Sequence, residues 1–275
     1  MTSQTILTEA TEDELGMAVH ENLYALFRSM QALPGCEVVE SDRLSHHFAF
    51  PANPMFKGVW NTHLSHDEVE TEIDKAVEWF KKRQAPNFFW WTDSLTEPPG
   101  LVEHLLRRGF DGNLEGDPGM AMDLHALHED ANQLPGFTIR HAVEPDTLLD
   151  WRDVFVTAFE MPISGGQAWV DATLSAEGGY APWKMYVGYL DDKPVATSML
   201  FNGAGVSGIY SIGTLPEMRR KGFGSAITLK PLLDARQQGY HYAVLFATRL
   251  GCPVYEQLGF REVPCKIGIY IMELE

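Results

Sequence analysis

Two short stretches of the chain end in the same way, and that likeness constrains the fold more than any other feature. Val102-Glu103-His104-Leu105-Leu106-Arg107-Arg108-Gly109-Phe110 and Pro253-Val254-Tyr255-Glu256-Gln257-Leu258-Gly259-Phe260 are both short helical runs stopped by Gly-Phe, and 259 minus 109 is 150. The strand endings Met122-Asp123-Leu124 and Met272-Glu273-Leu274 repeat the interval, since 272 minus 122 is again 150. Two matches at one offset indicate internal duplication. Upstream, Phe88-Phe89-Trp90-Trp91-Thr92 and Val244-Leu245-Phe246-Ala247-Thr248 both read as buried strands at an offset of 248 minus 92, or 156. An indel of 156 minus 150, or six residues, accounts for the slip. Amphipathic helices at 67–84 and 224–239 precede these strands. Each half therefore reads helix, strand, helix, strand, and the polar stretch 125–136, ending in Pro135-Gly136, is the natural linker.

At 275 residues the chain is long for one domain, and two are expected, at 1–130 and 136–275. The 45% hydrophobic and 11% aromatic content is that of a packed globular protein. No stretch approaches the ~18 uninterrupted apolar residues of a membrane helix, so no membrane partner is expected. The opening Met1-Thr2-Ser3-Gln4-Thr5 lacks the basic flank and apolar run of a secretory signal. Cys36, Cys252 and Cys265 cannot build a disulfide framework, which points to a reducing, cytoplasmic setting. With 21 basic against 38 acidic side chains the formal charge is -17, which repels phosphate backbones and excludes nucleic acid as a partner.

The second half opens with a strand at 137–141 and a helix at 144–159. Strands at 185–190 and 195–201 flank the hairpin signal Asp191-Asp192-Lys193, and Asn202-Gly203-Ala204-Gly205 turns the chain into a further strand at 206–214. Antiparallel strands followed by a strand-helix-strand unit give an α+β fold with a mixed sheet. The stretch Arg219-Arg220-Lys221-Gly222-Phe223-Gly224 then links strand to helix. Gly222 and Gly224 let backbone amides turn inward with no Cβ in the way, the helix start adds partial positive charge, and three cationic side chains stand beside it. It reads as an anion site. A Walker loop is excluded because Phe223, not Lys, follows Gly222. Gly203-x-Gly205-x-x-Gly208 matches the dinucleotide fingerprint in letters only, since it leads into a strand at 209–214 where that fingerprint must open a helix. These are hairpin glycines.

Thr214-Leu215-Pro216-Glu217-Met218-Arg219-Arg220-Lys221-Gly222-Phe223-Gly224, together with the later Tyr255-x-x-x-Gly259-Phe260, resembles the GNAT superfamily of N-acyltransferases over about 140 residues of the second half. The resemblance implies two GNAT-like domains, each a mixed, mostly antiparallel sheet flanked by helices. It implies acetyl-CoA or another acyl-CoA as co-substrate, no metal, and an amine of a small molecule or peptide as acceptor. It places the coenzyme pyrophosphate on the loop Arg219, Arg220, Lys221, Gly222, Phe223, Gly224 and Ser225, the pantetheine arm along Ile212 and Thr214, and Thr248 nearby where the two central strands splay. Many relatives carry Asn near the position of Thr248. Tyr255 is the candidate acid, because a phenol of pKa about 10 is protonated at neutral pH and can donate to a leaving thiolate of pKa about 8.5. The alternative is a non-catalytic acyl-CoA sensor or scaffold. Tandem relatives that acylate thiol-cofactor precursors or amino acids are a second enzymatic reading.

Glu160, Tyr210 and Ser211 are candidate bases, with no one of them favoured. His241 begins its strand about 23 Å from the coenzyme end, at ~3.3 Å per residue, and reads as structural. Cys252, three residues from Tyr255, reads as a small buried residue before a nucleophile. Pro231 inside the helix after Gly224 predicts a bend. At the offset of 156, His66 and Glu68 stand where Gly222 and Gly224 stand in the second half, and Ser65 with Asp67 and Glu68 looks like a helix cap whose carboxylates repel phosphate. The first half is therefore expected to be a degenerate acyltransferase-like domain without CoA. His46, His47, His63 and His66 match no metal spacing and read as surface residues, and Trp60, Trp79, Trp90 and Trp91 as core aromatics. The segment 162–180, rich in Gly, Ser and Ala, reads as an acceptor loop.

Overall fold

Thr11 starts the first helix, which the repeat pattern does not foretell. The Thr11 hydroxyl accepts from the Glu14 amide at 3.3 Å, and the Glu14 carboxylate accepts from the Thr11 amide at 2.8 Å. This capping box satisfies two donors that a helix N-terminus leaves open. The helix is α1 (Glu12–Ser29), followed by β1 (Glu37–Val39), β2 (Ser45–Phe48), β3 (Lys57–Trp60), α2 (Val69–Lys82), β4 (Asn87–Thr92), α3 (Leu101–Arg107), β5 (Asp111–Gly112) and β6 (Asp117–Asp123). The second half runs β7 (Phe137–His141), α4 (Pro145–Ala158), α5 (Ile163–Ser175), β8 (Trp183–Leu190), β9 (Lys193–Gly203), β10 (Val206–Thr214), α6 (Phe223–Gln237), β11 (Tyr242–Phe246), α7 (Cys252–Leu258) and β12 (Arg261–Glu273). The computed structural model describes residues 5–50, 53–127, 134–176 and 181–274, so parts of the expected linker and of the 162–180 segment lie outside the described residues.

The fold is α+β, and its sheet is mixed and mostly antiparallel, in the order β1-β2-β3-β4-β12-β6-β11-β10-β9-β8-β7. Among the named strands only β3 with β4 and β10 with β11 run parallel. A parallel pair needs a crossover. Here α2 makes one and α6 the other, one in each half of the chain. The two parallel ladders correspond, Gly58 pairing with Phe89 as Ser207 pairs with Ala243, so the strands before the crossover are offset by 207 minus 58, or 149, and those after it by 243 minus 89, or 154. The helix starts at Glu68 and Gly222 share the offset of 154. The counterpart of Gly222 is thus Glu68, not His66, and both residues are helix N-caps. The Gly-Phe endings are helix stops: Gly109 and Gly259 are left-handed, with φ of 88° and 102°. The Phe110 amide reaches the Leu105 carbonyl at 3.1 Å, as the Phe260 amide reaches that of Tyr255 at 3.0 Å.

The halves trade strands. β6, which closes the first half in sequence, pairs with β11 from Tyr242↔Asp123 to Phe246↔Gly119. β12, which closes the second, pairs with β4 from Gly268↔Thr92 to Glu273↔Asn87. The two traded strands then pair with each other from Arg261↔Ala121 to Ile267↔Asp117, with an irregularity between Glu262 and Lys266. The result is one continuous sheet. α1 lies over this junction, against β6, β12 and the β9 to β11 region. Its Asn22 is fully buried, donates to the carbonyls of Gly203 at 2.8 Å and Val206 at 3.3 Å, and accepts from the Tyr210 hydroxyl at 2.6 Å. A Cβ on Gly208 would collide with the Asn22 side-chain oxygen, so glycine is required there for packing and not for a phosphate.

Two sequence expectations change, for the 162–180 segment and for the histidines of β2. The 162–180 segment is largely helix α5, because Gly166 is where it crosses α4: a Cβ there would meet Val156 Cγ1 at 2.5 Å and Arg152 Cγ at 2.8 Å. His47 is not on the surface. It is fully buried, stacked on Phe27 at 4.6 Å with Nε2 3.0 Å from the Met55 carbonyl, and burial pushes its pKa down to about 4. His46 packs edge-on against Trp79 at 4.2 Å and is likewise pushed to about 4. Pro231 leaves α6 unbroken, and the Ile227 carbonyl, which the missing amide would have bonded, accepts from buried Ser198 Oγ at 3.0 Å. Trp60, Trp90 and Trp91 are buried core aromatics as expected.

Candidate functional site

β10 and β11 touch only at Ser207↔Ala243 and Gly208↔Val244, although β10 continues to Thr214. Beyond that point the sheet opens into a cavity of ≈310 Å³. Its second-half wall carries Tyr210, Ser211 and Ile212 from β10, Phe246 and Thr248 from β11 and its end, and Tyr255 from α7. A bulge shapes this wall: between Tyr210↔Met199 and Gly213↔Thr197, Ser211 and Ile212 face the single residue Ser198, and Ser211 takes a left-handed φ of 51°. The Ser211 carbonyl is held by the Thr197 hydroxyl at 3.0 Å.

Following β10, Pro216–Met218 forms a short 3-10 turn and α6 begins at Phe223. Gly222 is left-handed, with φ 89°, which a side chain rarely tolerates. Around Gly224 the space is open, since a Cβ would find nothing nearer than Thr214 Oγ1 at 3.8 Å and Val254 Cγ1 at 3.9 Å. The loop thus lies where β10, α6 and α7 converge. The first amides of a helix have no intrahelical acceptor, and those of Phe223, Gly224 and Ser225 stand at this helix start. Phe223 contributes only its backbone, because its ring is buried against Phe137 at 5.1 Å. Arg220 and Lys221 are exposed. Arg219 differs from them: its guanidinium donates to the carbonyls of Thr214 at 3.2 Å and Ala158 at 2.9 Å, and so braces the loop against α4.

Tyr255 is nearly enclosed, and burial pushes its phenol well above the ordinary range, so it is protonated at neutral pH. Burial also raises the Cys252 thiol, whose Sγ lies 3.8 Å from the Ala247 carbonyl. A neutral thiol is a poor nucleophile. Of the candidate bases, Tyr210 already donates to Asn22 and Glu160 is absent from the cavity lining, while Ser211 lines it. His241 sits away from it, Nδ1 3.2 Å from the Thr8 carbonyl.

The family model for the Acetyltransferase (GNAT) family matches residues 148–260. Over these residues the chain is similar to a GNAT acetyltransferase domain. The fold of the whole chain is similar to a GCN5-related N-acetyltransferase from Kribbella flavida, at 18% identity, 95% of each chain and a TM-score of 0.67. It is also similar to a functionally unknown conserved protein from Staphylococcus epidermidis, at 16% identity over 86% of this chain and 93% of that one, with a TM-score of 0.66. A GCN5-related N-acetyltransferase from Sphaerobacter thermophilus matches at 14% identity over 100% and 97% of the two chains, with a TM-score of 0.58. At such identities the likeness is one of fold. No curated protein matches the sequence.

The first half supplies the opposite wall of the cavity: Leu26 from α1, Asn53, Pro54 and Met55 ahead of β3, Phe89 and Trp91 from β4, and Asp117 at the start of β6. Sequence reasoning placed none of these seven in a site, for the strand exchange that joins the halves leaves no local pattern. Asp117 is half-buried, and burial pushes its carboxyl up while a hydrogen bond with Asn113 opposes this. The first half's own α2 start differs from the GNAT loop. Its N-cap is Glu68, whose carboxylate accepts from the Ser65 hydroxyl at 2.6 Å and amide at 3.0 Å. Leu105, buried, occupies the helix position that Tyr255 holds in the second half. Among the described residues no group of His, Cys, Asp and Glu is arranged to hold a metal, and no helix is long and apolar enough to cross a membrane.

Proposed function

We propose that the chain is an acyl-CoA-dependent N-acyltransferase that moves an acetyl or similar acyl group directly to an amine of a small molecule or peptide. One observation carries this reading: the glycine-shaped helix start at Gly222 and the cavity holding Tyr255 lie at the same open end of β10 and β11. In this reading the amides of Phe223, Gly224 and Ser225 hold the pyrophosphate of the co-substrate, with Arg220 and Lys221 adding charge and Arg219 fixing the loop. The bulged stretch through Ile212 to Thr214 borders the pantetheine arm, and Thr248 stands across the cleft. The amine attacks the thioester carbonyl, the C–S bond breaks, and Tyr255 protonates the departing thiolate. Residues 1–130 and 136–275 are the two duplicated units, of which only the second binds CoA, in a cytoplasmic protein.

Tyr255→Phe tests the assignment, since it removes the hydroxyl and keeps the ring. Turnover, followed as thiol release from acetyl-CoA, is expected to fall roughly 10²-fold with CoA affinity nearly unchanged. A variant as fast as the parent removes Tyr255 from the chemistry.

A further inference from the structure

We infer that the wall contributed by the first half is the acceptor subsite, that it takes a primary amine carried on an apolar body, and that Asp117 binds and deprotonates its ammonium group. This rests on the acyltransferase reading above and adds the substrate class to it. Leu26, Met55, Phe89, Trp91, Phe155 and Met199 make the cavity overwhelmingly apolar. Asp117 is the only lining residue, among those described, that carries a formal charge at neutral pH. An apolar pocket with one anion suits a ligand with one cationic end and a hydrophobic remainder, because each buried group then has its complement. An acidic amine finds no cation in this wall to pair with its carboxylate, and a short hydrophilic amine leaves the apolar surface uncovered.

The same residue resolves the missing base. A half-buried carboxylate with a raised pKa is a better proton acceptor than an exposed one. The ammonium passes one proton to Asp117, and the neutral nitrogen attacks the thioester carbon. As the C–N bond forms and the C–S bond breaks, Tyr255 gives its proton to sulfur. The nitrogen's second surplus proton restores Tyr255, and Asp117 releases its own to water. Ammonium and thioester have become amide, thiol and one proton. Asp117 reaches the site because β6 has crossed into the other half's sheet, so the first half serves as the acceptor-binding partner of the CoA-binding half.

The test uses the full chain, acetyl-CoA, and three amines: 2-phenylethylamine, ethylamine and glutamate. The wild type is expected to turn over 2-phenylethylamine at least roughly tenfold better than ethylamine, and glutamate not at all. Asp117→Asn should cut kcat/KM for 2-phenylethylamine roughly 10²-fold while the Kd for acetyl-CoA, read by calorimetry, stays within about twofold. The inference is overturned by an Asp117→Asn variant that keeps its rate, by one that loses acetyl-CoA affinity together with rate, or by a wild type that binds acetyl-CoA yet prefers ethylamine or glutamate. A wild type that does not bind acetyl-CoA at all overturns the acyltransferase reading itself, a result distinct from each of these.

Discussion

His47 shows how one side chain escapes a reading from sequence and then governs a measurable property. In β2 the inward positions are Ser45 and His47, and His46 and Phe48 are only partly covered, so the strand alternates as a half-buried strand should. Its inward residues are polar, however, and period alone cannot say which face is inside. Folding holds the His47 imidazole neutral, with a pKa of about 4 against an ordinary 6.5. Between these values the unfolded chain binds more protons than the folded one, so stability falls as pH drops from 6.5 toward 4, by on the order of 3 kcal/mol from this residue. His47→Gln does not titrate and keeps a donor for the Met55 carbonyl. Its Tm against pH should be flatter than the parent's over that window, and parallel curves would refute the assignment. Asp117 was illegible for a related reason: nothing around it in the sequence marks a site, and only its tertiary neighbours make it one.

At the scale of elements, the two crossover helices share a place in the fold and differ in chemistry at their first turn. α6 begins from Gly222, whereas α2 begins from Glu68, whose carboxylate is held beside Ser65 and brings a negative charge to the helix start. Ser65 hydrogen bonds hold both Glu68 and Asp67 below the usual carboxylate range. Calorimetric titration with CoA should therefore give one site per chain, and two sites would contradict the contrast. The contrast was legible in the sequence, because glycine against carboxylate at a helix start is local chemistry; only the offset needed the ladders to correct it. The hairpin at Asp191-Asp192 and the Gly-Phe helix stops were legible for the same reason. α5 was not. Gly165 and Gly166 lower helix propensity, and the compensation comes from α4 lying close enough to exclude a side chain. α1 had a readable capping box at Thr11 and Glu14, but no repeat drew attention to it.

For the molecule as a whole, the likeness in element order between the two halves was readable and the trade of strands was not, since pairing partners are chosen by the assembled sheet. The trade makes the halves interdependent. A chain reduced to residues 136–275 lacks β6, which leaves one edge of β11 bare, and keeps a β12 whose partner β4 is gone. Unpaired strand groups of this kind invite aggregation. Such a chain is expected to show no cooperative thermal unfolding by circular dichroism and no CoA binding by calorimetry. A cooperative melt with CoA affinity intact would show that the trade is dispensable.

The same trade sets a timetable at the ribosome. Domains of a nascent chain commonly fold in the order they emerge, the first while the next is still being made. Here β4 is complete at Thr92 and has β3 on one side, but its neighbour on the other side starts at Arg261, and 261 minus 92 is 169 residues of further synthesis. The first half must wait, its sheet unfinished, for almost the whole of the second to be translated. Truncated translation products that stop before β12 are therefore expected to yield no active fragment.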